Sequence, residues 1–334
     1  ELQWLGGLAS LAIAAAIFIR PSFIGIDTML PPFSRGDRES YLRAVRNAIA
    51  AFFSVYLALT LISFIVVTLA GADSLDAAVI AMSAVASGGF VPDENGLAAF
   101  PFAVTGALLP FLVLSGANFT MIARTARGVA GRNRDVETGA YLAAIIVVGG
   151  VFWLSAGAGD LDLAPAQVFN AASLFSTYGV VIGEGPTFPL AMITVIIGGS
   201  AVSTAGGFKI LRWLVIVRRA REEVRSLISP NIVVKQSNIA NELGVWIHFL
   251  VFTMLLAATT VLLTLGRHDF ELSAAAATAI LANAGPVIAF ADGADAGYAV
   301  FGDPLRILLC FGMILGRLEA VVALVIFNRW FWRA

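Results

Sequence analysis

The sequence predicts an all-α membrane protein assembled from a repeated unit: a long helix, a short half-helix, a glycine-centred turn and a second helix. Three observations lead there. The chain is 59% hydrophobic and 13% charged over 334 residues, with a mean hydropathy of +0.89, far too apolar for a soluble domain of that size. A glycine-centred tetrapeptide recurs after three short apolar stretches, as Ser87-Gly88-Gly89-Phe90, Thr177-Tyr178-Gly179-Val180 and Asn283-Ala284-Gly285-Pro286. Basic and acidic residues also separate onto alternate loops. Units that repeat in this way around an axis enclose an ion pore rather than a catalytic pocket.

Seven segments, at about 2–19, 47–70, 100–122, 139–157, 188–217, 244–265 and 304–328, are apolar over a length sufficient to cross a bilayer. Three stretches of about 11 residues, 76–86, 165–175 and 272–282, are too short to cross. They are expected as re-entrant half-helices whose backbone ends must be shielded by protein. Six positions before Gly89, Gly179 and Gly285 stand Ser83, Ser173 and Ala279, small enough for neighbouring helices to approach closely. The chain divides accordingly into 1–46, the second helix of an incomplete first unit with a cytoplasmic loop; 47–138, a second unit; 139–240, a third unit with a broken second helix; and 241–334, a fourth. It starts at Glu1 without a signal-peptide pattern, which suggests the later part of a longer protein.

Charge sets the orientation. Loops 20–46, 123–138 and 208–240 and the tail after Phe327 hold 5, 4, 7 and 2 Lys or Arg, 18 of the chain's 21, so that face is cytoplasmic. The opposite loops hold Arg267 against 12 acids, among them Asp73, Asp76, Asp93, Glu94, Asp160, Asp162, Glu184, Asp292 and Asp295. Two explanations stay open: an acidic vestibule that concentrates cations at the outer mouth, or acids that merely contribute little to topology. A net charge of −1 points to no nucleic-acid partner, and the single cysteine, Cys310, excludes an internal disulfide.

Cation permeation requires fixed oxygen dipoles in place of a hydration shell. Glycine permits the extended or positive-φ backbone that aims carbonyls at an ion, and the negative end of each half-helix dipole faces the membrane centre. Gly198, Gly199, Gly206 and Gly207 bracket a small, polar stretch, Ser200 to Ala205, inside an apolar segment of about 30 residues. Each glycine costs about 1 kcal/mol of helix propensity relative to Ala, so the middle is expected to unwind. Irregular backbone at that depth must be buried in protein or line a wet cavity. A packing kink between small-residue helices is the simpler alternative. Arg317, deep in the last apolar segment, costs several kcal/mol unless it faces a cavity or partner. Glu319 is too close in sequence to share its helix face.

These residues resemble a known family. The run Gly198-Gly199-Ser200-Ala201-Val202-Ser203-Thr204-Ala205-Gly206-Gly207-Phe208-Lys209, followed by Arg212, is similar to the broken second helix of the third repeat in the TrkH/KtrB/HKT superfamily of potassium transporters. Gln3-Trp4-Leu5-Gly6-Gly7 resembles the start of the first repeat's second helix, and Gly316-Arg317-Leu318-Glu319 the last helix of the fourth. The resemblance implies four repeats in pseudo-fourfold array around one pore, each giving one filter strand. On this reading the three tetrapeptides form a K+ selectivity filter, with K+ held at backbone carbonyls alone. Gly198, Gly199, Ser200, Ser203, Thr204, Gly206, Gly207, Lys209 and Arg317 form a gate beneath it. The resemblance further implies a homodimer, a cytoplasmic nucleotide-binding regulator like TrkA, and a multi-pass place in the bacterial inner membrane. Tyr178 before Gly179, in the third repeat, and Pro286 after Gly285, in the fourth, depart from the family pattern.

No P-loop, HExxH or nucleophile with a base at recognisable spacing is present, so no enzyme or organic cofactor is expected. None is needed for uptake: a potential of 100 mV does about 2.3 kcal/mol of work per charge, enough for a roughly fifty-fold gradient. An H+- or Na+-coupled potassium carrier is the first alternative. A lipid-modifying enzyme is the second, but the cytoplasmic acids Asp37, Glu39, Asp135, Glu137, Glu222 and Glu223 are interleaved with bases and are expected in solvent. His248 and His268 lack ligand-spaced partners and read as structural. The basic run 218–225 reads as a solvated cytoplasmic flank, with anionic membrane lipid or a regulator as the other option, and Trp330 and Trp332 beside Arg329 and Arg333 as an interfacial anchor.

Overall fold

A computed structural model describes residues 2–18, 38–126, 128, 136–157, 161–228, 239–294 and 297–317. Among these the regular structure is entirely helical. Helix α1 (Leu2–Phe18) leads into three successive units. The first comprises α2 (Arg38–Leu69), the half-helix α3 (Ser74–Val85), and α4 (Phe102–Gly116) with α5 (Phe119–Ala126). The next comprises α6 (Val136–Ser155), the half-helix α7 (Ala164–Phe175), α8 (Phe188–Ile197) and α9 (Ile210–Ile228). The last comprises α10 (Ile239–Leu265), the half-helix α11 (Phe270–Leu281) and α12 (Asp303–Arg317).

The half-helices fall within two residues of their expected bounds, because their length is set by where apolar sequence gives way to polar caps and turns. The long segments behave less uniformly. Val45–Leu69, Val136–Ser155 and Leu243–Leu265 are unbroken, strongly apolar spans. Helix α2 begins well inside the loop expected at 20–46, and its 32 residues rise about 48 Å, more than the roughly 30 Å hydrocarbon core. Its first turns therefore extend past the bilayer. The segment 188–217 is interrupted between α8 and α9, as its glycines require, and α9 continues as helix through much of the expected loop 208–240. The segment 100–122, expected as one span, is instead bent by 104° between α4 and α5.

Burial explains how the units hold together. Leu11, Phe52, Tyr56, Val85, Phe119 and Val202 join α1, α2, α3 and α5 to the α8–α9 loop. Val67, Ile80, Val104, Leu108, Phe169 and Tyr178 pack α2, α3 and α4 on α7. A third, larger cluster unites α6, α7, α8 and α10 to α12. The half-helices lie at the centre: nine of the twelve α11 residues are buried, while Leu61, Ile65, Ile146, Leu250 and Val261 on the long helices face outward and are exposed. An apolar exterior around a polar-ended interior is the pattern of a protein solvated by lipid.

Candidate functional site

Each half-helix ends in the same hydrogen-bonded cap. The amide of Gly88 donates to Ser83 O, Tyr178 to Ser173 O and Ala284 to Ala279 O. One residue earlier Ser87, Thr177 and Asn283 donate to Ala84 O, Leu174 O and Ile280 O, and adopt left-handed backbone with φ of 56°, 57° and 54°. This is a Schellman-type cap with the left-handed position filled by Ser, Thr and Asn rather than glycine. It turns the chain out of the helix at the first residue of every tetrapeptide. Gly89 and Gly179 then take φ of 73° and 80°, which only glycine adopts without strain.

The third turn departs at this point. Gly285 has no positive φ and opens a short 3-10 helix, Gly285–Phe290. The physical reason lies in two residues seven apart in the sequence. Ser83 Oγ accepts the Phe90 amide, and Ser173 Oγ donates to Val180 O, tying the end of each turn back to its half-helix. In the third unit the corresponding residues are Ala279, which has no hydroxyl, and Pro286, which has no N–H. Without that hydroxyl neither form of the tie can be made, and Pro286 could not donate as Phe90 does. The Gly285 carbonyl instead accepts a hydrogen bond from Tyr298 Oη at 3.1 Å, and burial raises that phenol's pKa above its ordinary value.

The turns nonetheless meet. A Cβ on Gly89 would overlap the Tyr178 carbonyl and the Pro286 ring, and one on Gly179 would lie 3.2 Å from both Pro286 Cδ and Val287 Cγ2. Pro286 thus stands between the two positive-φ glycines. Gly88 is equally tight, since a Cβ there would overlap the amide of Gln3 on α1. Phe90, at the outer end of its turn, is exposed, whereas Tyr178 is fully buried.

The α8–α9 loop lies beneath all three caps. Thr204 Oγ1 donates to Val85 O and Ser115 O, at 2.9 and 3.0 Å, and lies 2.8 Å from Ser87 Oγ. The Gly206 amide donates to Thr177 Oγ1 at 2.8 Å, and a Cβ on Gly206 would overlap the Ala282 carbonyl at the end of α11. Gly198 (φ 70°) and Gly207 (φ 78°) close the loop at its base, where each approaches the other's backbone. Ser203 Oγ donates to Ser200 O within the loop, Gly199 packs against Gly116 O and Ala205, and Lys209, at φ 80°, donates from Nζ to Ala205 O. Arg317 reaches this layer from α12: Nη1 donates to Thr204 O at 2.9 Å and Nη2 to Ala86 O at 3.3 Å. Its charge therefore rests at the C-terminal, negative end of the α3 half-helix. Asn283 also reaches α12, donating to Met313 O one turn before Arg317.

Two expectations are corrected by this geometry. Segment 100–122 is two helices, because Ala117 and Asn118 break it and Asn118 Oδ1 accepts the Thr120 amide as an N-cap. Ser115-Gly116 followed by an Asn cap is the signal the sequence offers. Glu137, expected in solvent, is 2% exposed, and its carboxylate accepts the Ala201 amide and Asn118 Nδ2. A lone acid opening an apolar helix gives no hint of its partners, which come from two other elements. Glu222 and Glu223, in contrast, lie on α9 among Arg218 and Arg219, with ion pairs of 3.5 to 3.8 Å. Asp37, Asp135, Asp160, Asp295, Glu319 and the Trp330/Trp332 anchor lie outside the described residues, and so does the side chain of Glu39. His248 packs on Phe208 and His268 on Phe301, with ring centroids 5.5 and 4.6 Å apart. Among the described residues no three His, Cys, Asp or Glu gather as metal ligands.

Known proteins resemble this chain in sequence and fold. The model of the family described as TrkH, cation transport protein, matches residues 187–331. The Trk system potassium uptake protein TrkI of Halomonas elongata is 27% identical, over 99% of this chain and 71% of its own length. TrkH of Escherichia coli K12 is 25% identical, over 99% and 72%. The crystal structure of the potassium transporter TrkH from Vibrio parahaemolyticus superposes with a TM-score of 0.81 at 25% identity, covering 99% of this chain and 72% of that one. These relatives are transporters and not enzymes, and this membrane protein is similar to them along its whole chain in both sequence and fold.

Proposed function

We propose that the chain is the potassium-translocating pore subunit of a Trk-type uptake system in the bacterial inner membrane, crossing it several times. The observation that carries this reading is the stacking of two layers: three capped turns that converge on Pro286, and directly beneath them a loop in contact with the ends of all three half-helices. The tetrapeptides Ser87–Phe90, Thr177–Val180 and Asn283–Pro286 then form the filter, where carbonyls replace the hydration shell of K+. Inward movement runs down the electrical gradient, so the potential drives uptake and no hydrolytic step is required. The loop 198–207 with Lys209 and Arg317 is the gate. Arg317 places a fixed positive charge on the half-helix dipole that would otherwise stabilise a dehydrated cation, which raises the barrier until the loop moves. By the family likeness, the working unit is a homodimer associated with a cytoplasmic nucleotide-binding subunit of the TrkA kind.

The test is rubidium and sodium flux in proteoliposomes under an imposed inside-negative potential. Arg317→Ala should raise rubidium flux at least several-fold while rubidium remains preferred over sodium. Wild-type flux in the folded Arg317→Ala protein removes the gate assignment, and equal rubidium and sodium flux in the unaltered protein removes potassium as the substrate.

A further inference from the structure

We infer that Glu137 and Asn118 are positioning residues for the gate, a node that couples the cytoplasmic arm α5 to the intramembrane loop. The inference rests on the loop being the gate. Glu137 opens α6, where the positive end of the helix dipole favours a carboxylate, but at 2% exposure its charge demands donors. Two come from separate breaks in the fold. Ala201 N–H, at the centre of the α8–α9 loop, donates to Oε1, and Asn118 Nδ2, in the α4–α5 joint, donates to Oε2 at 2.9 Å.

Main-chain bonds join the same two segments: Ser200 N to Gly116 O at 2.8 Å, Thr204 N to Ser115 O at 3.2 Å, and Phe119 N to Val202 O at 2.7 Å. The joint and the loop are therefore one hydrogen-bonded body with Glu137 as its fixed post. Asn118 serves both sides, since its Oδ1 also caps α5 through Thr120 N at 3.0 Å. A rotation of α5, whose end carries exposed Arg124 and Thr125, cannot occur without moving Asn118 Nδ2 and hence the carboxylate that holds Ala201. Loop opening breaks or drags this node, so its bonds belong to the closed state more than to the open one. Weakening them shifts the equilibrium toward the open state.

A swap of hydrogen-bonding character tests this in the full chain. In Glu137→Gln or Asn118→Asp alone, one pair of facing groups becomes amide against amide or carboxylate against carboxylate. Combining Glu137→Gln with Asn118→Asp exchanges donor and acceptor: the amide now at position 137 donates to the carboxylate now at position 118. The pair is thereby restored, and a carboxylate at position 118 still caps α5. Each single variant should raise rubidium flux measured without any cytoplasmic partner by roughly three- to tenfold, the size expected for one buried hydrogen bond. The double variant should return it to within about twofold of wild type. In a Cys310→Ser background, Ser203→Cys should react faster with a small thiol-reactive cation in the single variants and at the wild-type rate in the double. A purely structural role lowers thermal stability without moving either readout. Glu137→Asp keeps the charge one methylene short of both donors, and it should raise flux in the same direction if Glu137→Gln fails to fold. Wild-type flux in Glu137→Asp, or an unrescued double variant, overturns the inference. If Arg317→Ala raises flux while the node variants do not, the node alone is wrong; if none of them changes flux, the gate reading falls with it.

Discussion

Residues 87, 177 and 283 are Ser, Thr and Asn in a left-handed conformation that costs a side-chain-bearing residue about 1–2 kcal/mol relative to glycine. Each offsets that strain with a contact glycine could not make: Ser87 with Thr204, Thr177 with the Gly206 amide, Asn283 with Met313 O. The caps thus serve what they hold below as well as the turn. The glycines of the tetrapeptide turns differ in a similarly concrete way. A methyl on Gly89 combines positive φ with overlap of a backbone oxygen that cannot rotate aside, whereas a methyl on Gly285 meets nothing within 4 Å and needs no positive φ. Gly89→Ala should therefore lose most rubidium uptake or folded yield, while Gly285→Ala retains both; uptake and size-exclusion profiles compare them directly. Equal loss in both would mean that Gly285 is confined in a way its surroundings do not display.

Among elements, α12 depends on close approach to α11, the small-residue packing that replaces hydrophobic driving force inside a bilayer. Gly312 faces the Ile280 side chain, which can give way, but Gly316 faces the Leu281 carbonyl and Asn283 Nδ2, which cannot without breaking the cap of α11. Gly316→Ala should lower the unfolding free energy by about 1–3 kcal/mol, the usual cost of overpacking, and Gly312→Ala by less. Thermal unfolding in detergent measures both. Because Arg317 is the next residue, Gly316→Ala should also raise rubidium flux as α12 moves away from the loop. The two broken helices illustrate why one break is legible in the sequence and the other is not. Four glycines around Ser200 to Ala205 announce a break through propensity alone, but the α4–α5 joint needs only Asn118 as a cap, and an Asn in an apolar run competes with a continuous-helix reading.

Across the molecule, the apolar exterior marks the surface that faces lipid, and charge asymmetry alone favours one orientation in it. Asp93, Glu94, Glu184 and Asp292 lie on the proposed outer side, where their summed field would raise the local cation concentration. Neutralising all four should reduce rubidium flux several-fold at about 10 mM ionic strength, where the Debye length is about 30 Å, and hardly at all near 1 M, where it is about 3 Å. Flux ratios at the two ionic strengths decide it. A reduction of equal size at both would assign these acids to direct coordination rather than to the field.

Local features of the chain suffice for the membrane class, the three half-helices within two residues, the repeated turns, the broken α8–α9 segment and the singular cost of Arg317, because each follows from local length, apolarity or glycine content. What those pieces hold emerges only when they pack. Glu137 reads as one solvated acid among several until α6, the loop and the α4–α5 joint bring Ala201 and Asn118 to its oxygens, from 64 and 19 residues away. The turn after α11 likewise matches the other two in register, yet Ala279 lacks the hydroxyl that ties them, Pro286 lacks the amide that Phe90 donates, and Tyr298 takes the Gly285 carbonyl instead. Hydrogen bonds between segments distant in sequence leave no periodicity to read, since the identity of a buried group's partner is set by which elements packing brings beside it.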